Sequence, residues 1–197
     1  MLWNRSLVIV DEETKSLWSH LLGECMRGEL KGAELERIPS LMTDWGTWKN
    51  SHPDTTVVML TRTARVFTKE FYRNPDRFVV GLSRGRTAKA WPFDQLQKQP
   101  VFNDIFAEKP VVIIFDRDTV TATIFYRNLD TGTLTFEQRG KKLIDLQTKS
   151  TWNRTQGIAI AGPLKGKTLK PAIGIVSFRN AWEMFYPKST YAQAGRN

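Results

Sequence analysis

The sequence predicts a mainly β fold with a few short helices, built on an internally duplicated module. Two observations carry this. Short runs of β-branched and aromatic residues, broken by glycine, proline and aspartate, recur along the 197 residues. In addition, "DEETKSLWSHLLGECMRGELKGAEL" from Asp11 lies without a gap over "DLQTKSTWNRTQGIAIAGPLKGKTL" from Asp145, and the register holds on to Trp48 over Trp182, Pro53 over Pro187 and Thr56 over Thr190. From Asp11 to Thr56, fourteen residues are identical at this spacing of 134, which is far too long for a solenoid unit and reads as a duplicated module.

The elements follow in order. "LVIV" is a strand closed by Asp11-x-x-Thr14, a turn in which the carboxylate accepts a backbone N–H further along. "SLW" resumes the strand pattern, and Gly28-x-Leu30-Lys31-Gly32 sits between strand-like runs where a hairpin needs positive φ. Trp48, with four residues between it and Pro53, marks a short helix that the proline ends. Residues 61–77, "TRTARVFTKEFYRNPDR", read as a basic connector.

Beyond the connector, "FVVGL" and "AKAWPF" suit a hairpin around "SRGRT", and "FDQLQKQ" suits a short helix stopped by Pro100. "VFND" reads as a turn through Asn103 and Asp104. "VVIIF", "TVTATIFY" and "TLTFEQ" are strands separated by turns at "DRD" and "LDTG". The shared block then returns, ending in the helix-like "WEMFYP". The expected organisation is a first copy over residues 1–60, the connector over 61–77, and a second, complete copy over 78–197, with one continuous core across both copies.

Composition narrows the chemistry. With 41% hydrophobic and 25% charged residues the chain is an ordinary globular one, and no apolar run approaches the roughly 20 residues a membrane span needs. The N-terminus lacks the cleavage pattern of a secretory signal. One cysteine, Cys25, excludes an internal disulfide or a multi-thiolate metal site. Neither His20 nor His52 recurs in the second copy, where Arg154 and Tyr186 stand instead, and Cys25 lies over Ala159. Cys25 therefore reads as a small buried hydrophobe and the histidines as surface or packing residues. The net charge is +9, and Arg139 to Lys170 holds eight basic residues against Asp145 alone. That is a solvated basic face or a surface for an anionic partner.

The residues "LWNRSLVIVDEETKSLW", "GIAIAGPLKGKTL", "AKAWPF" and "VFND", with the two Trp-x4-Pro endings, resemble domain-of-unknown-function family 3179 of bacteria and archaea over nearly the whole chain. The resemblance implies a Cys-Pro-Leu-Cys motif, with a selenocysteine at the second position in some members, followed by a segment that Thr121, Ala122, Phe125 and Arg127 fit. Here the two cysteine positions hold Asp116 and Thr119. It also implies that the chain lacks about the first 60 residues of a member, and it leans towards an extracytoplasmic location.

The expected function is binding or structural, with no catalytic centre and no cofactor. The candidate binding residues are Asn103, Asp104, Asp116 and Thr119, with Asn103, Asp104 and Asp116 gathered in one cleft. Two alternatives stand beside it: a remnant of a thiol, selenol or soft-metal protein whose Cys-x-x-Cys is degenerate here, and polyanion binding by the basic second copy.

Overall fold

The computed structural model describes residues 2–4, 6–58, 74–85 and 87–195. Most of the expected connector, residues 61–73, lies outside the described residues, and Pro75–Arg77 forms a 3-10 turn. The chain is strand-rich, as expected.

The architecture is easiest to follow from "VVIIF", which lies in β8 (Lys109–Asp116), the middle strand of a sheet with β7 (Val101–Phe106) and β9 (Thr121–Tyr126). Successive side chains of a strand point to opposite faces. Val111, Ile113 and Phe115 enter one core and Val112 and Ile114 another, so an unbroken apolar run is what this position requires. The first core lies against the sheet of β16 (Ile175–Phe178), β5 (Phe78–Arg84), β6 (Thr87–Pro92) and β17 (Thr190–Tyr191), in that order. It is also closed by α2 (Phe93–Lys98) through Phe93 and Leu96. The second core lies against β12 (Phe136–Arg139), β13 (Lys142–Asp145), β14 (Thr151–Trp152) and β15 (Ala159–Ala161). A third cluster packs Trp182 of α3 (Arg179–Phe185) on Val79, Ala88 and Ala90. Helix, sheet, sheet and sheet thus stack in four layers. The short hairpin of β10 (Asn128–Leu129) and β11 (Gly132–Thr133) joins β9 to β12.

The first copy repeats the β12–β15 sheet. Its strands β1 (Leu2–Trp3), β2 (Ser6–Val10), β3 (Leu17–Ser19) and β4 (Glu24–Arg27) pair in the same order. Ile9 faces Trp18, and Trp18 faces Cys25, as Leu143 faces Trp152 and Trp152 faces Ala159. The lone bridge Glu24–Glu34 has its twin in Ile158–Thr168. Helix α1 (Trp45–Ser51) lies 134 residues before α3.

The agreement reaches single atoms. Trp18 and Trp152 donate their indole N–H to Asp11 and Asp145 at 3.0 and 2.9 Å. Trp48 and Trp182 donate theirs to Thr55 and Ser189 at 3.0 and 2.9 Å. Gly28 and Gly162 have φ +113° and +92°, and a Cβ on either would meet the serine opposite, Ser16 or Ser150, well inside van der Waals contact. Both copies kept "LKG" because both make this turn.

Two expectations are corrected. "VFND" is no turn: Asn103 and Asp104 lie inside β7, paired with Val112 and Val111. Their turn-forming side chains are instead committed to neighbouring sheets, and tertiary context overrides local preference. Nor do the described residues share one continuous core. Among the described residues the three buried clusters contain no buried residue of the first copy, which touches them through the half-buried Met42.

Candidate functional site

A cleft of about 1040 Å³ opens where three sheets present edge strands: β7, β12 and β17. Asp104 lines it. The Lys89 ammonium donates to Asp104 Oδ1 at 2.7 Å, the Ile105 backbone N–H donates to the same oxygen at 2.7 Å, and the Trp91 indole N–H donates to Oδ2 at 2.9 Å. Lys89 and Trp91 are two residues apart on β6, so the pleat aims both at this carboxylate. The Lys89–Asp104 pair is partly exposed, at 23% and 17% of the side-chain surface.

Arg127 forms another part of the lining. Its guanidinium donates to the carbonyls of Val111 and Leu134 at 3.1 and 2.8 Å. Burial pulls its pKa below the ordinary arginine value, and the Asp104 charge pushes it back up. Asn103 works differently. Its amide accepts from the Phe136 N–H and donates to the Phe136 carbonyl, at 2.8 and 2.7 Å, imitating one rung of a β ladder between β7 and β12. Tyr191 of β17 closes another wall, its phenol pKa raised first by burial and then by the Glu183 charge.

Asn103 and Asp104 therefore line one cleft, and Asp116 and Thr119 do not join them. Asp104 pairs with Val111, and Asp116 lies five residues further along β8, about 17 Å away at the usual strand rise. Asp116 opens the β8–β9 turn and accepts the N–H groups of Asp118 and Thr119 at 2.9 and 3.2 Å. The Thr119 hydroxyl joins a chain to Thr121 and then to Thr43 of the first copy, at 2.7 and 2.8 Å. The two positions stand at i and i+3 of a tight turn, but a carboxylate and a hydroxyl do no thiol chemistry. Cys25 is buried in β4, and His52 is exposed and stacks on Trp48 at 4.0 Å. Among the described residues no three of His, Cys, Asp and Glu come together to hold a metal ion.

Sequence reasoning missed Lys89, Lys98 and Arg127 in the cleft. The alternation of Lys89 and Trp91 in "AKAWPF" was the available signal, since it places a cation and an indole N–H on one face of a strand. What it could not supply was the partner, fixed only by how the β5–β6 sheet lies on β7.

Comparison with protein families supports the resemblance. The family described as "Protein of unknown function (DUF3179)" matches residues 1–77 and 70–189. The chain belongs to this family. The two matches fall on the two copies, in keeping with the atom-level repeat. No match is found among curated proteins or among solved structures. DUF3179 membership leaves the chemistry to be argued from the cleft.

Proposed function

We propose that the protein is a binding protein and that the cleft around Asp104 takes a small organic anion. One observation carries this reading: Lys89 and Lys98 line the same cleft beside a carboxylate with acceptor capacity left. An ammonium has three donors, and Lys89 spends one on Asp104. A carboxylate offers about four acceptor sites, and three of those on Asp104 are taken. A ligand acid would meet the lysines while a neighbouring hydroxyl or amine donates to Asp104 Oδ2. Exposed Ile105 supplies apolar wall. Hydroxy acids and sugar phosphates have this chemistry.

A thermal-shift panel of such compounds tests the reading, run on the wild type, Lys89→Met and Lys98→Met. Ligand at a hundred times Kd stabilises by about 2.7 kcal/mol, which for a chain of this size raises Tm by about 5–10 °C. The reading predicts that shift for at least one anion and its loss in both variants. No shift with any anion, or shifts that persist in both variants, would sink it.

Polyanion binding keeps a separate basis, because seven of the eight basic residues between Arg139 and Lys170 are exposed and Arg154 is the exception. Heparin affinity that falls steeply between about 50 and 200 mM salt would support it, and no retention at low salt would end it.

A further inference from the structure

The strand edges at the Asp104 cleft present main chain as well as side chains. Antiparallel partners alternate between pairs that exchange hydrogen bonds and pairs that turn those groups outward. The Phe115 N–H donates to the Pro100 carbonyl at 2.8 Å, which sets the phase of β7 on β8. Phe102, Asp104 and Phe106 bond to β8, and Val101, Asn103 and Ile105 turn their N–H and C=O groups away from it. β7 is an edge strand, so these groups face the cleft that the same three residues line. The Ile105 N–H is taken by Asp104, and the Val101 carbonyl accepts from Gln99 at a long 3.4 Å. The Val101 N–H, both groups of Asn103 and the Ile105 carbonyl have no partner among the described residues.

The two flanking edges follow the same rule. The Leu146 N–H donates to the Thr135 carbonyl, so Phe136 and Gln138 turn away from β13. The Asn103 side chain fills the Phe136 rung, and the Gln138 rung stays open on the cleft. The Ala192 N–H donates to the Ala90 carbonyl at 3.0 Å, which leaves Tyr191 of β17 facing outward. The β7–β9 sheet lies between the other two, so β7 forms the floor of the cleft and β12 and β17 its walls. A row of open main-chain groups at strand spacing suits an extended peptide that adds as a strand. At about 1040 Å³ the cleft also reaches past the roughly 300–1,000 Å³ usual for small-molecule sites.

We propose that the cleft binds the carboxyl-terminal segment of a peptide as a strand antiparallel to β7. This rests on the reading of the cleft as an anion site and names the anion. Lys89 is held by Asp104, whereas Lys98, just before the start of β7, has no ion-pair partner among the described residues. A guest running antiparallel to β7 therefore ends where the open ammonium stands. Its terminal carboxylate accepts from the Val101 N–H beside Lys98, and its third residue from the end exchanges both bonds with Asn103. The fifth from the end donates its N–H to the Ile105 carbonyl. Residues opposite one another in an antiparallel pair share a face, so the fourth from the end lies over Asp104. A serine or threonine there donates to Asp104 Oδ2, which has accepted only from Trp91.

The test passes two pools of random hexapeptides, one with free carboxyl termini and one amidated, over the immobilised 197-residue chain. The acid pool should be retained at least about tenfold better, with serine and threonine enriched fourth from the end. A selected peptide should slow exchange of the Val101 and Asn103 amides by at least about tenfold. Equal retention of the two pools, or unchanged exchange at Asn103 with peptide bound, overturns the proposal. So does a dimer of the chain alone that protects the Asn103 amide, since the occupant of the edge would then be a second copy. Val101→Pro removes one donor at the first residue of an edge strand, where proline is tolerated. It should lose the selected peptides and keep the thermal shift given by small hydroxy acids, and peptides still bound by it overturn the proposal. Where this variant fails to fold, the pools and the exchange on the wild type decide. Small hydroxy acids that act through Lys89 and Lys98 while no peptide binds would end this proposal and leave the anion reading standing; failure of both ligand classes would end both.

Discussion

Asp145 offers the sharpest stability experiment, because its carboxylate is buried and fully employed. One oxygen accepts from the Thr148 N–H at 2.5 Å, and the other accepts from the Ser150 N–H at 3.1 Å and the Trp152 indole at 2.9 Å, with the Thr148 hydroxyl placed between them. Asp145→Asn keeps the shape but turns one acceptor into a donor. The less costly orientation puts the NH2 against the Thr148 N–H and orphans that one buried donor. This costs about 1–3 kcal/mol, and the surviving bonds lose charge assistance worth about 1 kcal/mol more. A total of about 3 kcal/mol lowers Tm by about 6–12 °C in a chain of this size. Asp11→Asn disturbs the same set of bonds in the first copy, where the carboxylate is half-exposed and water can stand in, so its loss should be clearly smaller. Thermal and urea denaturation of both variants decide the matter. A drop of less than about 2 °C for Asp145→Asn, or an equal drop for Asp11→Asn, would refute the reasoning.

Two further outcomes follow from the same structure. The Trp18 indole and then the Thr14 backbone N–H hold the Asp11 pKa at about 2, below the ordinary aspartate value of 3.8, against an opposing contribution from burial. A carboxylate depressed in the folded state stabilises above its unfolded pKa and loses that contribution as pH falls through the folded value. Its share should therefore be intact above about pH 4 and vanish towards pH 2, and an NMR titration of Asp11 with a midpoint near the unshifted value would contradict this. Gly23 and Gly157 share φ near +66° and +68°, so alanine at either costs about 1 kcal/mol for the backbone alone. Gly157→Ala must also displace the buried Phe125 ring, and should cost about 1–3 kcal/mol more than Gly23→Ala by chemical denaturation; equal costs would argue against the packing described.

What the sequence made legible were features whose causes are local. Asp11 and Asp145 close their turns with their own Thr14 and Thr148, the glycines of the "LKG" loop take positive φ, and "VVIIF" reads as a strand. What stayed hidden depends on partners far along the chain. Asn103 and Asp104 have turn chemistry, and only the approach of Phe136 and Lys89 makes them strand residues. Leu35 and Leu169 are the clearest case: the same residue, in the same motif, makes the same backbone bond, yet one is exposed and the other buried. No local pattern distinguishes them, because the difference is what lies above.

That pair also provides the most direct test of a repeat in which only the second copy is covered by β5–β9. Native-state hydrogen exchange can compare the Leu35 N–H, which donates to Gly23 at 2.7 Å, with the Leu169 N–H, which donates to Gly157 at 2.9 Å. Leu169 should exchange only through global unfolding, while Leu35 should exchange orders of magnitude faster through local opening of the first copy. Equal protection at the two amides would contradict it.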